Sequence, residues 1–359
     1  MLSPIFRSHS PTDTTHGAHM FRLIALLTLS LVPCSLSLAA EVDLFGTLMV
    51  VNRDDSSIAF YDLPTQREAT RLAITGPIPH EIAASPNGEL AVTSEYGTGS
   101  NPGRHLVVID VATAEIVRRI DMGANSRPHS MVFLDDNRHV ITTLELREAI
   151  ALVDVIDGTI VRTYATGGRD SHMVRVTPDN RYAFVAARGS GTLSRIDLEV
   201  MEDTVVIPTG ARAEGIAIAP DGSKVWVANQ NDSTITIVDA GSMAIIGAIG
   251  GIAVNRAEVL ANGIAVIPGG TSDDAAARYV TYFDGTRFTQ AGQLTLPASN
   301  AGGTGIRVYA ANNTLFLADS AVNEVSAVVP AFVGERTVIA INPDNVDGMA
   351  WSPVRVDQP

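Results

Sequence analysis

The sequence holds one cysteine, Cys34, in 359 residues. A single thiol excludes a disulfide framework and metal sites built on several thiolates. Lysine is as scarce: of 25 basic residues only Lys224 is a lysine, which argues against Schiff-base chemistry. Positive charge as a whole is in deficit. The net charge is −14, the wrong sign for a phosphate backbone, so nucleic acid is not an expected partner. Aromatic residues make up 5% and charged residues 18%, against 46% hydrophobic. Such a chain is too apolar to be disordered. No His-Glu-x-x-His, Gly-x-Ser-x-Gly or Walker loop occurs. Helical periodicity is missing too; β-branched residues and Gly/Asn/Asp turns dominate.

Apolar length is concentrated at the N-terminus. Phe21 to Ala39 reads FRLIALLTLSLVPCSLSLA, one arginine before an apolar run and then small residues. Residues 1–40 are therefore expected to be a signal peptide, with Met20 as the true start and cleavage after Ala39 or Ala40. A membrane anchor is the alternative, but the run is short and Pro33 interrupts it. Cleavage removes Cys34 and leaves residues 41–359 without a thiol. No later stretch reaches 18 apolar residues, so stable membrane insertion is not expected and a periplasmic or secreted location is.

The rest of the chain repeats. PHEIAASPNGELAVTSE from Pro79, PHSMVFLDDNRHVITTLE from Pro128, SHMVRVTPDNRYAFVAAR from Ser171 and AEGIAIAPDGSKVWVANQ from Ala213 align with one another. Each has an alternating apolar strand, a turn of Pro, Asp or Asn, and a second alternating strand. A third strand ending in Asp follows, at Asp110, Asp154, Asp197 and Asp239. At one phase the steps are 49, 43 and 42 residues, from His80 to His129, His172 and Glu214. Thr304 and Asp347 continue the phase, with a degenerate repeat between, around Glu258 to Asp284. The first unit (Val50 to Asp62) lacks an inner strand, and DGMAWSP near the C-terminus supplies one. These features predict an all-β fold: a single seven-bladed β-propeller over residues 41–359, closed by pairing of its N- and C-terminal strands. A two-sheet sandwich does not account for the constant phase.

SPNGELAVTSE and APDGSKVWVANQNDSTITIVD resemble the YVTN-repeat propellers, including the YncE-like periplasmic proteins. The resemblance implies the propeller fold and leaves the function open, because propellers host unrelated activities.

In such a blade the start of the inner strand and the end of the second strand meet on one face. Two sets of residues are then expected around the channel mouth. One is His80, His129, His172, Glu214, Thr304 and Asp347; the other is Arg53, Glu95, Glu145, Arg188 and Gln230. Of five histidines beyond residue 40, three share a phase, while His105 and His139 fall out of phase and are expected at the surface. Three readings stay open. The histidines can cap strands by hydrogen bonding. His80, His129 and His172 can hold a divalent metal, with Glu95 or Glu214 as carboxylate ligand. Or His129 or His172 can transfer protons with Glu145 as partner while Arg188 binds a substrate carboxylate.

A binding protein follows from these features, with a small molecule, a metal or a periplasmic protein held at the mouth by His80, His129, His172, Glu214, Glu95, Glu145, Arg53 and Arg188. The alternative is an enzyme: this chain resembles lactonase and lactonising propellers in blade number and in its His, Glu and Arg at the mouth. A redox role with haem would need non-covalent attachment, since no Cys-x-x-Cys-His motif is present.

Overall fold

A computed structural model describes residues 44–200, 204–271, 277–297, 305–329, 335–341 and 345–357. The expected signal segment and Thr304 lie outside them. Among the described residues there are seven antiparallel sheets, one short 3-10 turn (Glu145–Arg147) and no α-helix, so none that is long and apolar enough to cross a membrane. The chain is a seven-bladed β-propeller.

Blade 1 combines Thr47–Asn52, Ser57–Asp62 and Arg67–Ala73 with the C-terminal strand Val346–Ser352 on its inner edge. Blades 2 to 7 follow as consecutive units over residues 79–121, 128–165, 171–208, 213–250, 252–295 and 306–341. Blade 6 is the degenerate repeat. Its inner strand is broken into Ile252–Val254 and Glu258–Val259, both paired with Ile264–Thr271.

Alternation at period two gives every central strand two apolar faces, and each face belongs to a different neighbour. In Thr47–Asn52, Met49 and Val51 pack towards Ile82, Ala91 and Val107 of blade 2. Leu48 and Val50 pack towards Phe316, Ala318 and Val325 of blade 7. Seven apolar clusters result, and each straddles one blade boundary. The core is therefore a ring of inter-blade layers. Outer strands such as Thr159–Ala165 pack on one side only and are largely exposed.

The aspartates that end the third strands have a local cause. Asp110, Asp154, Asp197, Asp239 and Asp284 each accept hydrogen bonds from backbone N–H groups two or three residues on. These are Asx turns, which start the fourth strand.

Ring closure is antiparallel, with Leu48 opposite Trp351 and Val50 opposite Met349. The tail beyond it clips the first two blades. Arg355 donates to both oxygens of buried Asp62, at 2.7 and 2.9 Å, and the Asp357 N–H donates to the Ala112 carbonyl at 2.6 Å.

Candidate functional site

The inner strands position the site through a shared irregularity. In blades 1 to 5 the pairing of the inner strand slips just where the repeat phase places its polar residue. The slips fall between Val50 and Asn52 opposite Asp347, between Pro79 and Ile82, Pro128 and Met131, Ser171 and Met173, and Ala213 and Gly215. A bulge leaves one residue unpaired and re-aims its side chain. Here the re-aimed residues are Asp347, His80, His129, His172 and Glu214.

Two of these are followed by glycine, for a packing reason. A Cβ on Gly348 would sit 2.8 Å from the His80 carbonyl oxygen and the Glu81 Cα. One on Gly215 would sit 2.6 Å from the Asn255 carbonyl oxygen and 2.9 Å from the Arg256 Cα. The parallel contacts identify Asn255 and Arg256 of blade 6 as the counterparts of His80 and Glu81 of blade 2. They lie in the one blade whose repeat has decayed.

The three histidines form a stack. Ring centroids are 4.4 Å apart for His80 and His129 and 3.8 Å for His129 and His172. All three are buried, His129 completely. The His129 Nδ1 donates to the His172 carbonyl at 3.1 Å, and the His172 Nδ1 donates to the Glu214 carbonyl at 3.0 Å. A carbonyl oxygen only accepts, so Nδ1 carries the proton and Nε2 keeps its lone pair in both rings. The His129 Nε2 is buried without a hydrogen-bond partner among the described residues. The His172 Nε2 faces the Arg188 guanidinium at 3.4 Å and Glu214 Oε1 at 3.6 Å.

Burial disfavours the imidazolium form in all three. It pushes His80 below the ordinary imidazole value, against the pull of Asp347 and Glu81. Burial pushes His129 well below it, helped by the neighbouring His172 and His80; His172 is also held low by burial, then by Arg188.

A second layer surrounds it. Tyr96 meets His80 and His129 edge-on, at 4.7 and 4.9 Å, and the Arg127 guanidinium lies 3.9 Å over its ring. Glu145, one per cent exposed, is held by Arg188 at 2.7 Å and Arg127 at 3.6 Å. Burial still pushes its carboxyl above the usual value. Asp347 is shared by Arg53 and Arg307, each at 3.4 Å, with the His80 Nδ1 at 3.2 Å. Burial works against its charge, but His80 and these arginines hold its carboxyl below the usual range.

Below the stack the channel opens into a cavity of about 260 Å³, lined among others by Glu81, Arg175, Arg256, Glu258, Arg307 and Asp347. Arg256 donates to Glu81 at 2.8 Å and Arg175 to Glu258 at 2.9 Å.

Several residues stand elsewhere than the repeat arithmetic suggests. Glu95 pairs in register with Pro79 but turns outwards to Arg119 and to the His105 Nδ1 at 2.8 Å. The carboxylate beside His80 is instead Glu81. His105 is thus a partly buried partner of Glu95, while His139 pairs with Asp136 on the rim of its blade. Gln230 contributes a backbone N–H to the Arg212 carbonyl. Glu81, Tyr96, Arg127, Arg175, Arg256, Glu258 and Arg307 escaped the sequence reading. Arg175 and Arg307 had a signal: each stands three residues after a phase position, His172 and Thr304.

A family model described as "Lactonase, 7-bladed beta-propeller" matches residues 74–244, which cover blades 2 to 4 and the first three strands of blade 5. The fold is shared with a functionally unknown protein from Desulfotomaculum acetoxidans DSM 771, with TM-score 0.67 and 15% identity, over 87% of this chain and 100% of that one. It is also shared with Kuenenia stuttgartiensis hydrazine synthase, with TM-score 0.60 and 14% identity, over 80% of this chain and 93% of that one. At such identities the likeness concerns the fold alone. No curated protein sequence matches the chain.

Proposed function

We propose that this chain is an exported, YVTN-like propeller that binds a small organic anion in its central channel. One observation carries the reading: channel carboxylates are shared by arginines, Asp347 by Arg53 and Arg307, and Glu145 by Arg127 and Arg188. Each guanidinium presents five donors in a planar fork that matches a carboxylate. The Arg127 Nε is buried with no partner among the described residues. Half-buried arginines in a chain of net charge −14 select a carboxylate by bidentate hydrogen bonds rather than by long-range attraction. The cavity suits a compact metabolite-sized acid.

Calorimetric titration with a panel of small carboxylic acids and their neutral amides tests this. The expected result is binding of at least one acid, weakened at least ~10-fold in Arg307→Met, the loss of a charge-assisted hydrogen bond. Amides binding as well as acids overturns it. Export is tested by locating the chain in a fractionated host cell.

The lactonase match favours a second, enzymatic reading for the same face. Water adds to a lactone carbonyl while its proton passes to the His172 Nε2, whose lone pair faces the channel side of Arg188. Arg188 stabilises the oxyanion. The ring C–O bond then breaks, the imidazolium returns the proton to the leaving alkoxide, and a hydroxy acid results. That product is of the anion class the arginines suit. Acid release from simple aldonolactones, lost in His172→Gln, is the assay; no release from any lactone removes this reading.

A further inference from the structure

We infer that His80, Glu81 and His129 form a binding site for one first-row divalent metal ion. Each presents a donor atom, and the three atoms lie within 4.8 Å of one another. This ligand set differs from the three phase-related histidines. His172 is not in the set: its Nδ1 donates to the Glu214 carbonyl and its Nε2 faces Arg188 and Glu214.

Two ring nitrogens of the set make no hydrogen bond in the interior. The His129 Nε2 and His80 Nδ1 are both buried with no hydrogen bond among the described residues; the latter lies 3.2 Å from Asp347 Oδ2 without hydrogen-bond alignment. Leaving a buried polar atom unpaired is costly, and natural proteins rarely do so without a use for it. An imidazole nitrogen with a free lone pair is what a metal requires. At His129 the tautomer is already set by the bond from Nδ1 to the His172 carbonyl, the outer-shell arrangement common to metal-ligating histidines.

Two imidazoles and one carboxylate, with no thiolate, suit zinc, iron(II) or copper(II) rather than calcium or magnesium. Glu81 is held by Arg256 at 2.8 Å; a carboxylate can serve an arginine with one oxygen and a cation with the other. Glu81 and Asp347 offset the cationic arginines nearby. Because Glu81 also lines the cavity, an open coordination position would face whatever occupies it. The site stands on its own geometry and does not depend on the anion reading.

The test uses the full chain stripped with chelator and titrated with Co²⁺ alone, read by visible absorption, and with Zn²⁺ alone, read by elemental analysis after dialysis. One equivalent of either ion is expected. His80→Gln, Glu81→Gln and His129→Gln should each weaken binding by at least ~100-fold, the upper range seen when a mere supporting residue is lost. His172→Gln should stay within about tenfold of the parent. No stoichiometric binding overturns the inference, as does a loss in His172→Gln equal to that in Glu81→Gln. Thermal unfolding without metal checks each variant. If a histidine variant fails to fold, the partly exposed Glu81→Gln decides.

Discussion

The His129 Nδ1 lies 3.1 Å from the carbonyl oxygen of His172, the residue that holds the same place in the next blade. The bond ties two blades at the channel wall and sets which nitrogen of His129 carries the proton. It also adds a polar inter-blade contact to the apolar layers of the core.

The same carbonyl accepts from Thr143 Oγ1 at 2.9 Å. Either donor alone keeps it satisfied. His129→Leu and Thr143→Val should therefore each cost about 1 kcal/mol through this bond, whereas the double variant orphans a buried carbonyl and costs about 1–3 kcal/mol more than their sum. Urea unfolding of the four proteins measures the coupling. Simple additivity would show that the carbonyl finds another donor.

Asp62 and Arg355 carry the acid sensitivity of the closure. Hydrogen bonds from Arg355 hold the Asp62 carboxyl below its usual value, although burial opposes them. A depressed carboxylate stabilises the fold above its unfolded pKa of about 3.9 and loses that contribution as pH falls through the lower folded value. Arg355→Ala should destabilise the chain at pH 7, and the gap to the parent should close as pH falls below about 4. A gap independent of pH, measured by urea midpoints from pH 7 to 3, contradicts this.

Gly348 is confined by its neighbour blade. Gly348→Ala forces a Cβ against the backbone of His80 and Glu81 and should cost about 1–3 kcal/mol. Since it displaces two residues of the inferred metal set, Co²⁺ affinity should fall as well. Unchanged stability would mean that blades 1 and 2 slide apart freely.

Between blades 6 and 7, fully buried Arg278 pairs with buried Asp319 and donates to the Pro297 carbonyl at 3.0 Å. Arg278→Met leaves the carboxylate buried with its main cation gone and should cost about 3–5 kcal/mol. Thermal denaturation reads this directly; a change below about 1 kcal/mol would indicate that water reaches Asp319.

Much of the fold is legible in one chain because a propeller writes its plan locally. The phase from His80 to Glu214, the strand-ending aspartates and the apolar alternation each depend on residues close in sequence. Even the closure shows, as an inner strand missing at one terminus and present at the other. The site was legible only in part. The phase residues His80, His129, His172, Glu214 and Asp347 sit where the inner strands bulge into the channel, but counting along a regular hairpin puts Glu95 beside His80. The bulge between Pro79 and Ile82 turns Glu81 into that place, and Glu95 instead answers Arg119 and His105. Arg256 was hidden because its blade no longer repeats.

The sequence by itself determined the number of blades, the pairing of the two termini and the face on which the polar residues gather, since these follow from period and alternation. Only the tertiary structure decided which of those residues touch. Arg256 reaches Glu81 across 175 positions and Arg53 reaches Asp347 across 294. Such contacts depend on ring curvature and on single-residue bulges that slip the register, and neither leaves a periodic trace in the chain.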